Sequence, residues 1–318
     1  MRVARGLSAA AARGPAALTI GNFDGVHLGH QAMLAELARA AAQLGVPACV
    51  LTFEPHPREF FSPDQAPARL TSLREKLELL AQSGVERVHV CRFNYALAQT
   101  AAEDFIERIL VRGLGVRWVL VGDDFRFGAR RAGNFVMLRQ AAPRHGFEVA
   151  ALPSVTLDGE RVSSTAVRMA LAAGDLARAE RLLGRTYSIS GRVVAGDGLG
   201  RKLGFPTANV QMKRERPALT GIFAVRLHGA AREPLRAVAS LGVRPTVKQQ
   251  GAPVLEVHVP DFDADLYRRH VRVEFLKKLR DEEKYADLAS LTRQIGRDVE
   301  DARAFFAGHD ARPRIANR

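Results

Sequence analysis

Thr19-Ile20-Gly21-Asn22-Phe23-Asp24-Gly25-Val26-His27-Leu28-Gly29-His30-Gln31 is the stretch that decides how the first half of the chain is read. The apolar run Ala16–Ile20 reads as a strand, a turn with Gly21 and Gly25 follows, and Leu28–Leu44 reads as an alanine-rich helix. Two histidines three apart, with Gly29 between them, therefore stand where a strand hands over to a helix N-terminus. Unpaired backbone N–H groups and the positive dipole end make such a junction an anion site. Glycine lets a nucleotide approach the backbone closely, and imidazoles can donate to charge developing on phosphate oxygens. The alternative is a loop with two incidental histidines. With 9 His and 27 Gly in 318 residues, a chance His-x-Gly-His is improbable, and its place between a strand and a helix favours the nucleotide reading.

Outward from this stretch, strands are expected at Ala48–Phe53, Arg87–Cys91, Trp118–Val121 and Phe147–Ala150, and helices at Leu73–Gln82, Ala102–Arg112 and Asn134–Arg144. Short buried strands separated by helices imply right-handed crossovers and a parallel sheet. Ligands of such sheets bind beyond the carboxyl ends of the strands, so the loops there are candidates. One is Thr52-Phe53-Glu54-Pro55-His56-Pro57, stiffened by two prolines, where a structural and a site role for His56 weigh equally. Another is Gly122-Asp123-Asp124-Phe125-Arg126-Phe127-Gly128, whose glycines and mixed charges suit a loop gripping a flat ring and phosphates. Its phenylalanines alone would equally suit a core. In Val162-Ser163-Ser164-Thr165-Ala166-Val167-Arg168, Ser163 or Ser164 is a good cap for the helix expected from Thr165. A hydroxyl-rich helix start with an arginine one turn in would also hold a triphosphate.

Composition bounds the rest. At 318 residues two domains are expected, with ordinary hydrophobic (47%) and charged (25%) content for packed cores. The net charge of +13 invites a nucleic-acid reading, but only seven of the 47 basic residues are lysines and the arginines are scattered, apart from Arg312, Arg314 and Arg318 in the tail. Anionic small molecules suit such a chain equally well. Cys49 and Cys91 form no metal-spaced pair and suit buried thiols in a reducing, cytoplasmic setting. No apolar run reaches membrane-spanning length, and the Arg-bearing start, Met1 to Ala17, reads as part of the domain rather than as a presequence.

Past a helical segment at Asp175–Leu183 the style changes near Arg185. Alternating runs at Tyr187–Val194, Gly221–Leu227, Leu235–Ser240, Val254–Val259 and His270–Phe275 read as an antiparallel sheet or small barrel. A terminal helix is expected over Glu282–Phe306, capped by Asp281 and ended by Gly308. Gly196-Asp197-Gly198-Leu199-Gly200-Arg201-Lys202-Leu203-Gly204-Phe205-Pro206-Thr207-Ala208-Asn209 is a glycine-rich loop entering a strand, without the Gly-Lys-Ser/Thr ending of a Walker A loop. Its amides can form an anion-binding concavity, and Thr207 and Asn209 offer oxygens to a hard cation such as magnesium. Glu256, an acid inside a strand, becomes a candidate general base if it faces a cavity.

These motifs, in this order, resemble those of the bacterial bifunctional riboflavin kinase/FAD synthetase family over nearly the whole chain. Thr19–Gln31, Thr52–Pro57, Gly122–Gly128 and Val162–Arg168 resemble its adenylyltransferase motifs. Leu203–Asn209, Gly242–Thr246, Glu256–His258, Asp265–Tyr267 and Leu279–Arg280 resemble its kinase motifs. The resemblance implies an α/β fold: a nucleotidyltransferase-type parallel sheet with flanking helices (1–185), then an antiparallel β-barrel with a terminal helix (186–318). It implies phosphorylation of riboflavin to FMN by ATP and adenylylation of FMN to FAD with release of pyrophosphate. On the matching positions, His27 and His30 serve adenylyl transfer, with Gly21, Asn22, Phe23, Asp24, Gly29, Ser164, Thr165 and Arg168 around ATP. His56, Asp124, Phe125 and Arg126 fall at the flavin or nucleotide. In the kinase, Gly198, Lys202, Gly204, Pro206 and Thr207 would bind ATP, Thr207 and Asn209 Mg²⁺, and Glu256 would take the hydroxyl proton. Neither nucleic acid nor membrane is an expected partner. The chain departs from the family at Ala166 (often basic), Phe223 (often Tyr), Val247 (often Phe) and Arg268 (usually Gly). A basic tRNA-binding protein, or a chain with only one active domain, are the rival readings.

Overall fold

The computed structural model describes residues 1–6, 14–243 and 253–310. Val247, Arg244 to Thr246 of one kinase motif, and the arginines at 312, 314 and 318 lie outside the described residues. Contacts group the described residues into two compact units, Met1–Pro67 with Leu73–Ser164, and Ala68–Ser72 with Thr165 onward.

The first unit holds six parallel strands: β1 (Arg2–Arg5), β2 (Ala16–Ile20), β3 (Ala48–Glu54), β4 (Arg87–Arg92), β5 (Val116–Gly122) and β6 (Glu148–Leu152), in the order β1-β4-β3-β2-β5-β6. Period-2 alternation sorts their side chains onto two faces. Leu18, Cys49, Leu51, Val119 and Val121 pack on one face, and Ala17, Val50, Trp118 and Leu120 on the other. Helix α1 (Leu28–Leu44) and helix α2 (Leu73–Gln82) take their expected bounds, and α3 (Phe135–His145) is capped by Asn134. The segment Ala102–Gly113 is helical only in part as expected. After one α-turn it widens into a π-helix over Phe105–Gly113.

Helix α4 (Ser164–Ala172), which belongs to the second unit from Thr165 onward, is followed there by α5 (Leu176–Leu183). Six antiparallel strands then close a barrel: β7 (Ser188–Val194), β8 (Thr207–Gln211), β9 (Gly221–His228), β10 (Leu235–Val243), β11 (Pro253–His258) and β12 (His270–Arg280), in the order β7-β8-β11-β10-β9-β12. Phe223 is fully buried, edge-on to Phe275 at 5.2 Å, so its lack of a hydroxyl leaves no polar group stranded in the barrel core. Arg268 holds φ = 66°, a left-handed backbone that explains why glycine is usual there.

The terminal helix, α6, runs Leu288–Asp310 rather than Glu282–Phe306. The apolar period begins only at Leu288, and Asp287, not Asp281, caps it by accepting from the Ser290 N–H at 2.6 Å. Gly308 does not end it, because Arg226 and Arg236 hold Asp310, two residues further on, against the barrel. Val299, Ala302 and Phe306 cover Ile222, Ala224 and Val238 on the outer barrel face. Residues 281–287 instead form a strap.

Candidate active sites

In the first unit the turn between β2 and α1 is tightly wound. Phe23 (φ 49°), Gly25 (φ 84°) and Val26 (φ 40°) are all left-handed, a costly conformation for a β-branched valine. The turn is held from several sides. Gly21 N–H donates to Leu51 O at 3.1 Å, the Thr52 hydroxyl to Asn22 O at 3.3 Å, and Gln31 Nε2 to Val26 O at 2.9 Å. Phe23, completely buried, lies 4.9 Å from the His30 ring.

His27 is the N-cap of α1, its Nδ1 accepting from the His30 N–H at 3.3 Å. The two imidazoles stack, with centroids 3.7 Å apart and planes at 19°. Gly29 makes this possible: a Cβ there would stand 3.2 Å from the His27 ring and 3.4 Å from Val162 O. The Asn22 Oδ1 is buried without a hydrogen-bond partner among the described residues. Asp24 is buried, and its carbonyl accepts from the Ser164 hydroxyl at 2.8 Å. Ser164 is thus inside the first turn of α4 and braces the β2–α1 turn, so of the two serines expected as caps, Ser163 and Ser164, it is not the one before the helix. Thr165 and Arg168 follow on the same helix, the Arg168 Nε donating to Ala68 O at 2.6 Å. Ala166, where the family often has a basic residue, is buried.

The other loops behave differently. His56 caps the short helix Pro57–Phe61: its Nδ1 accepts from Arg58 N–H, while Glu59 accepts from its own N–H at 3.0 Å. Asp124 pairs with Arg161 at 2.7 Å, Phe125 packs against the core and stacks on Phe127 at 5.5 Å, and Arg126 donates to the Phe125 carbonyl. A feature the motifs do not announce is an aromatic shelf past the ends of β3 and β4. Phe60 contacts Phe61, Phe93 and Tyr95 at 5.3–5.6 Å, and Phe61 and Tyr95 are 64% and 74% exposed. Its signal is present in the sequence as Phe60-Phe61, at the end of the short helix after β3, and Phe93-x-Tyr95, directly after β4.

In the barrel, strand register does what chain order conceals. Asn209 on β8 stands opposite Glu256 on β11, Glu256 opposite Ser240 on β10, Ser240 opposite Ile222 on β9, and Ile222 opposite Arg280 on β12. All five line one cavity of about 360 Å³ under the N-terminal half of α6. Glu256 therefore faces a cavity, as a general base must. The Arg280 guanidinium is fixed by Asp298 through two 2.7 Å bonds, and that carboxylate, with Glu283 and Tyr285, holds the guanidinium charge more firmly than usual. From the strap, Glu282, Glu283 and Tyr285 complete the wall. Burial raises the Glu282 carboxyl above its ordinary range, opposed by Arg280 and by a hydrogen bond from Ser240.

The glycine-rich loop folds over the same place. Gly198 (φ 70°) starts the short helix Leu199–Lys202, and Gly204 (φ 87°) ends the turn. Lys202 is exposed, and Pro206 O lies 2.8 Å from the His258 Nδ1. A Cβ at Gly196 would overlap the Asn209 amide, and one at Gly200 would stand 3.2 Å from the Thr207 hydroxyl. The loop can therefore lie directly on both oxygen donors. Thr207 also borders a second cavity of about 480 Å³, with Arg201, Pro206, Asp263, Asp265 and Tyr267. Among the described residues no cluster of three or more His, Cys, Asp or Glu could hold a metal alone, and no helix is long and apolar enough to cross a membrane.

Comparison with known proteins agrees with this division. The FAD synthetase family model matches residues 9–166 and the riboflavin kinase model residues 183–306. The bifunctional riboflavin kinase/FMN adenylyltransferase of Pseudomonas fluorescens is 52% identical over 91% of this chain and 92% of its own. That of Escherichia coli K12 is 49% identical over the same shares. A solved structure described as a macrolide-efflux protein from Streptococcus pneumoniae superposes with a TM-score of 0.80 at 27% identity, covering 95% of this chain and 98% of that one. The chain belongs to the bifunctional riboflavin kinase/FMN adenylyltransferase family.

Proposed function

We propose that the chain makes FAD from riboflavin in two ATP-dependent steps at two separate sites, the adenylyltransferase domain spanning 1–185 and the kinase domain 186–318. The observation that carries this reading is that Glu256 shares a cross-strand row with Asn209 in the barrel, whereas His27 and His30 stack at the end of the parallel sheet. No residue serves both.

In the kinase step, Glu256 accepts the proton of the ribityl 5′-hydroxyl as its oxygen attacks the γ-phosphorus of ATP, and ADP leaves. The flavin side is the cavity of Glu256 and Arg280. The nucleotide lies toward the cavity of Tyr267, with Thr207 on both and Gly198, Lys202, Gly204 and Pro206 around its phosphates. Thr207 and Asn209 suit Mg²⁺: two neutral oxygen donors fit an ion that keeps waters and substrate phosphates as its other ligands. Bound there, Mg²⁺ neutralises phosphate charge. Most of the remaining catalysis is positioning.

In the second step an oxygen of the FMN phosphate, already anionic, attacks the α-phosphorus of ATP in line, and the bond to pyrophosphate breaks. No general base is required. His27 and His30 donate to the charge that accumulates, Gly21 to Asp24 and Gly29 shape the approach, and Ser164 braces it. Thr165 and Arg168 keep the phosphate-holding role that the resemblance implies. The exposed shelf of Phe60, Phe61, Phe93 and Tyr95, near His56, suits the flat isoalloxazine ring. Asp124, Phe125 and Arg126 border that end of the sheet. Two buried free thiols suit a reducing cytoplasm.

Incubation with riboflavin, ATP and Mg²⁺, resolved by chromatography, should give FMN first and FAD after it, and chelation should stop both. Failure to form FMN, or tight RNA binding that weakens steeply with salt, would contradict this reading.

A further inference from the structure

Glu282 reaches the barrel cavity from the strap after β12, and its carboxylate lies flat on Gly242, where a Cβ would overlap it. Ser240, two residues earlier on the same face of β10, bonds to that carboxylate. The other polar groups of this wall are engaged with one another: Arg280 with Asp298, and the Tyr285 hydroxyl with Glu283 at 3.2 Å. Glu282, bonded to Ser240, lines the space from the strap.

Its place relative to Glu256 follows from register. Ser240 stands directly opposite Glu256, so their Cβ atoms are about 4.5–5.5 Å apart on one face. Asn209 lies on the other side of Glu256. A primary alcohol with its oxygen at Glu256 takes its phosphoryl group from the Asn209 side, and the rest of its carbon chain leaves over Ser240. The C–O bond and three carbon–carbon bonds, each advancing about 1.3 Å along an extended chain, cover that one-strand step. What arrives beside Glu282 is then the part of the chain three or four carbons from the reacting oxygen.

We propose that Glu282, seated on Gly242 and steadied by Ser240, accepts hydrogen bonds from the secondary hydroxyls of the acceptor's polyol chain and so selects polyhydroxylated flavins. This rests on the reading of Glu256 as the kinase base. An ionised carboxylate is an acceptor only, and a hydroxyl that donates to it makes a charge-assisted bond. An acceptor without those hydroxyls leaves the carboxylate with Ser240 alone and those bonds unmade, which is how a polar pocket rejects an analogue.

The test compares riboflavin with a flavin carrying a 5-hydroxypentyl chain on N10, which keeps the primary alcohol and lacks the secondary ones. Wild type should favour riboflavin in kcat/KM by about 10-fold to 100-fold, the range of a hydrogen bond to a charged group. Glu282→Ala should treat the two flavins alike, through KM for the flavin and not for ATP, and Glu282→Gln should recover part of the preference. Gly242→Ala should act like Glu282→Ala: its backbone φ is not left-handed, so the main thing displaced is the flexible carboxylate end. Undiminished discrimination in folded Glu282→Ala or Gly242→Ala, or none in wild type, overturns the assignment. Wild type that phosphorylates neither flavin defeats the kinase reading itself.

Discussion

His27 and His30 stack face to face at 3.7 Å because Gly29 leaves the space beside the His27 ring. A methyl group there would press on the ring at 3.2 Å and on the Val162 carbonyl at 3.4 Å. Gly29→Ala tests this with two effects of opposite sign. Alanine is the better helix residue by about 1 kcal/mol, so the helix itself gains. Displacement of the His27 ring, proposed to serve adenylyl transfer, by a fraction of an ångström should still slow FMN adenylylation by about 10-fold or more. Separate assays of FAD formation and of the melting temperature check both. An unchanged rate would mean that the ring position is unimportant.

Asp298 anchors the floor of the kinase cavity. It is 3% exposed, takes both Arg280 bonds and accepts from Gln294 Nε2 at 3.0 Å. Asp298→Ala strands a half-buried guanidinium, and removal of one partner from such a pair costs about 3–5 kcal/mol. Urea titration should show that loss, accompanied by reduced FMN formation. Asp298→Asn, which keeps hydrogen-bonding capacity, should cost less.

His89, on β4, is 1% exposed, and burial, reinforced by the charge of Arg87, lowers its pKa below 6.5 despite a weak backbone contact from Gly6. The folded state therefore favours the neutral ring. Its contribution to stability is complete above the unfolded pKa and is lost as pH falls from there through the lower folded value. Urea midpoints of the parallel-sheet domain should drop between about pH 7 and 5, since histidine ordinarily titrates there. His89→Phe should flatten that drop.

The two thiols behave oppositely. Burial raises Cys49 to about 12, and raises Cys91 to about 11, with Arg87 slightly opposing at Cys49. The folded state holds them neutral, so stability from this source is intact below the ordinary value of 9.0 and fades as pH rises toward the folded ones. A thiol reagent at pH 8 should label neither in the native protein and both in urea. Rapid native labelling of Cys49 would contradict its burial.

Much of this was legible because it is local. Spacing alone located the His27–Gly29–His30 junction, the bounds of α1 and α2, and the change from alternating helices and strands to barrel strands. Local signals failed where tertiary contacts decide. Strand β1 is four residues with two arginines, recognisable only through its pairing with β4. The helix expected at Glu282 starts at Leu288 because the acids before it carry no apolar stripe. Asn209, Ile222, Ser240, Glu256 and Arg280 are dispersed over some seventy positions, and only barrel register makes them neighbours. The role of Glu282 was hidden for the same reason. Either Ser163 or Ser164 suits a cap by local sequence, and only the fold shows that the Ser164 hydroxyl reaches Asp24, 140 residues earlier.

The central claim is that two chemically distinct sites act independently, and one paired measurement tests it most directly. Glu256→Gln and His30→Ala are each given riboflavin or FMN with ATP and Mg²⁺, and products are resolved by chromatography. Removal of a general base or of a charge-stabilising donor costs about 100-fold or more. Glu256→Gln should therefore fail to make FMN yet convert supplied FMN to FAD, and His30→Ala should make FMN yet fail to adenylylate it. Loss of both reactions in either folded variant would contradict the account.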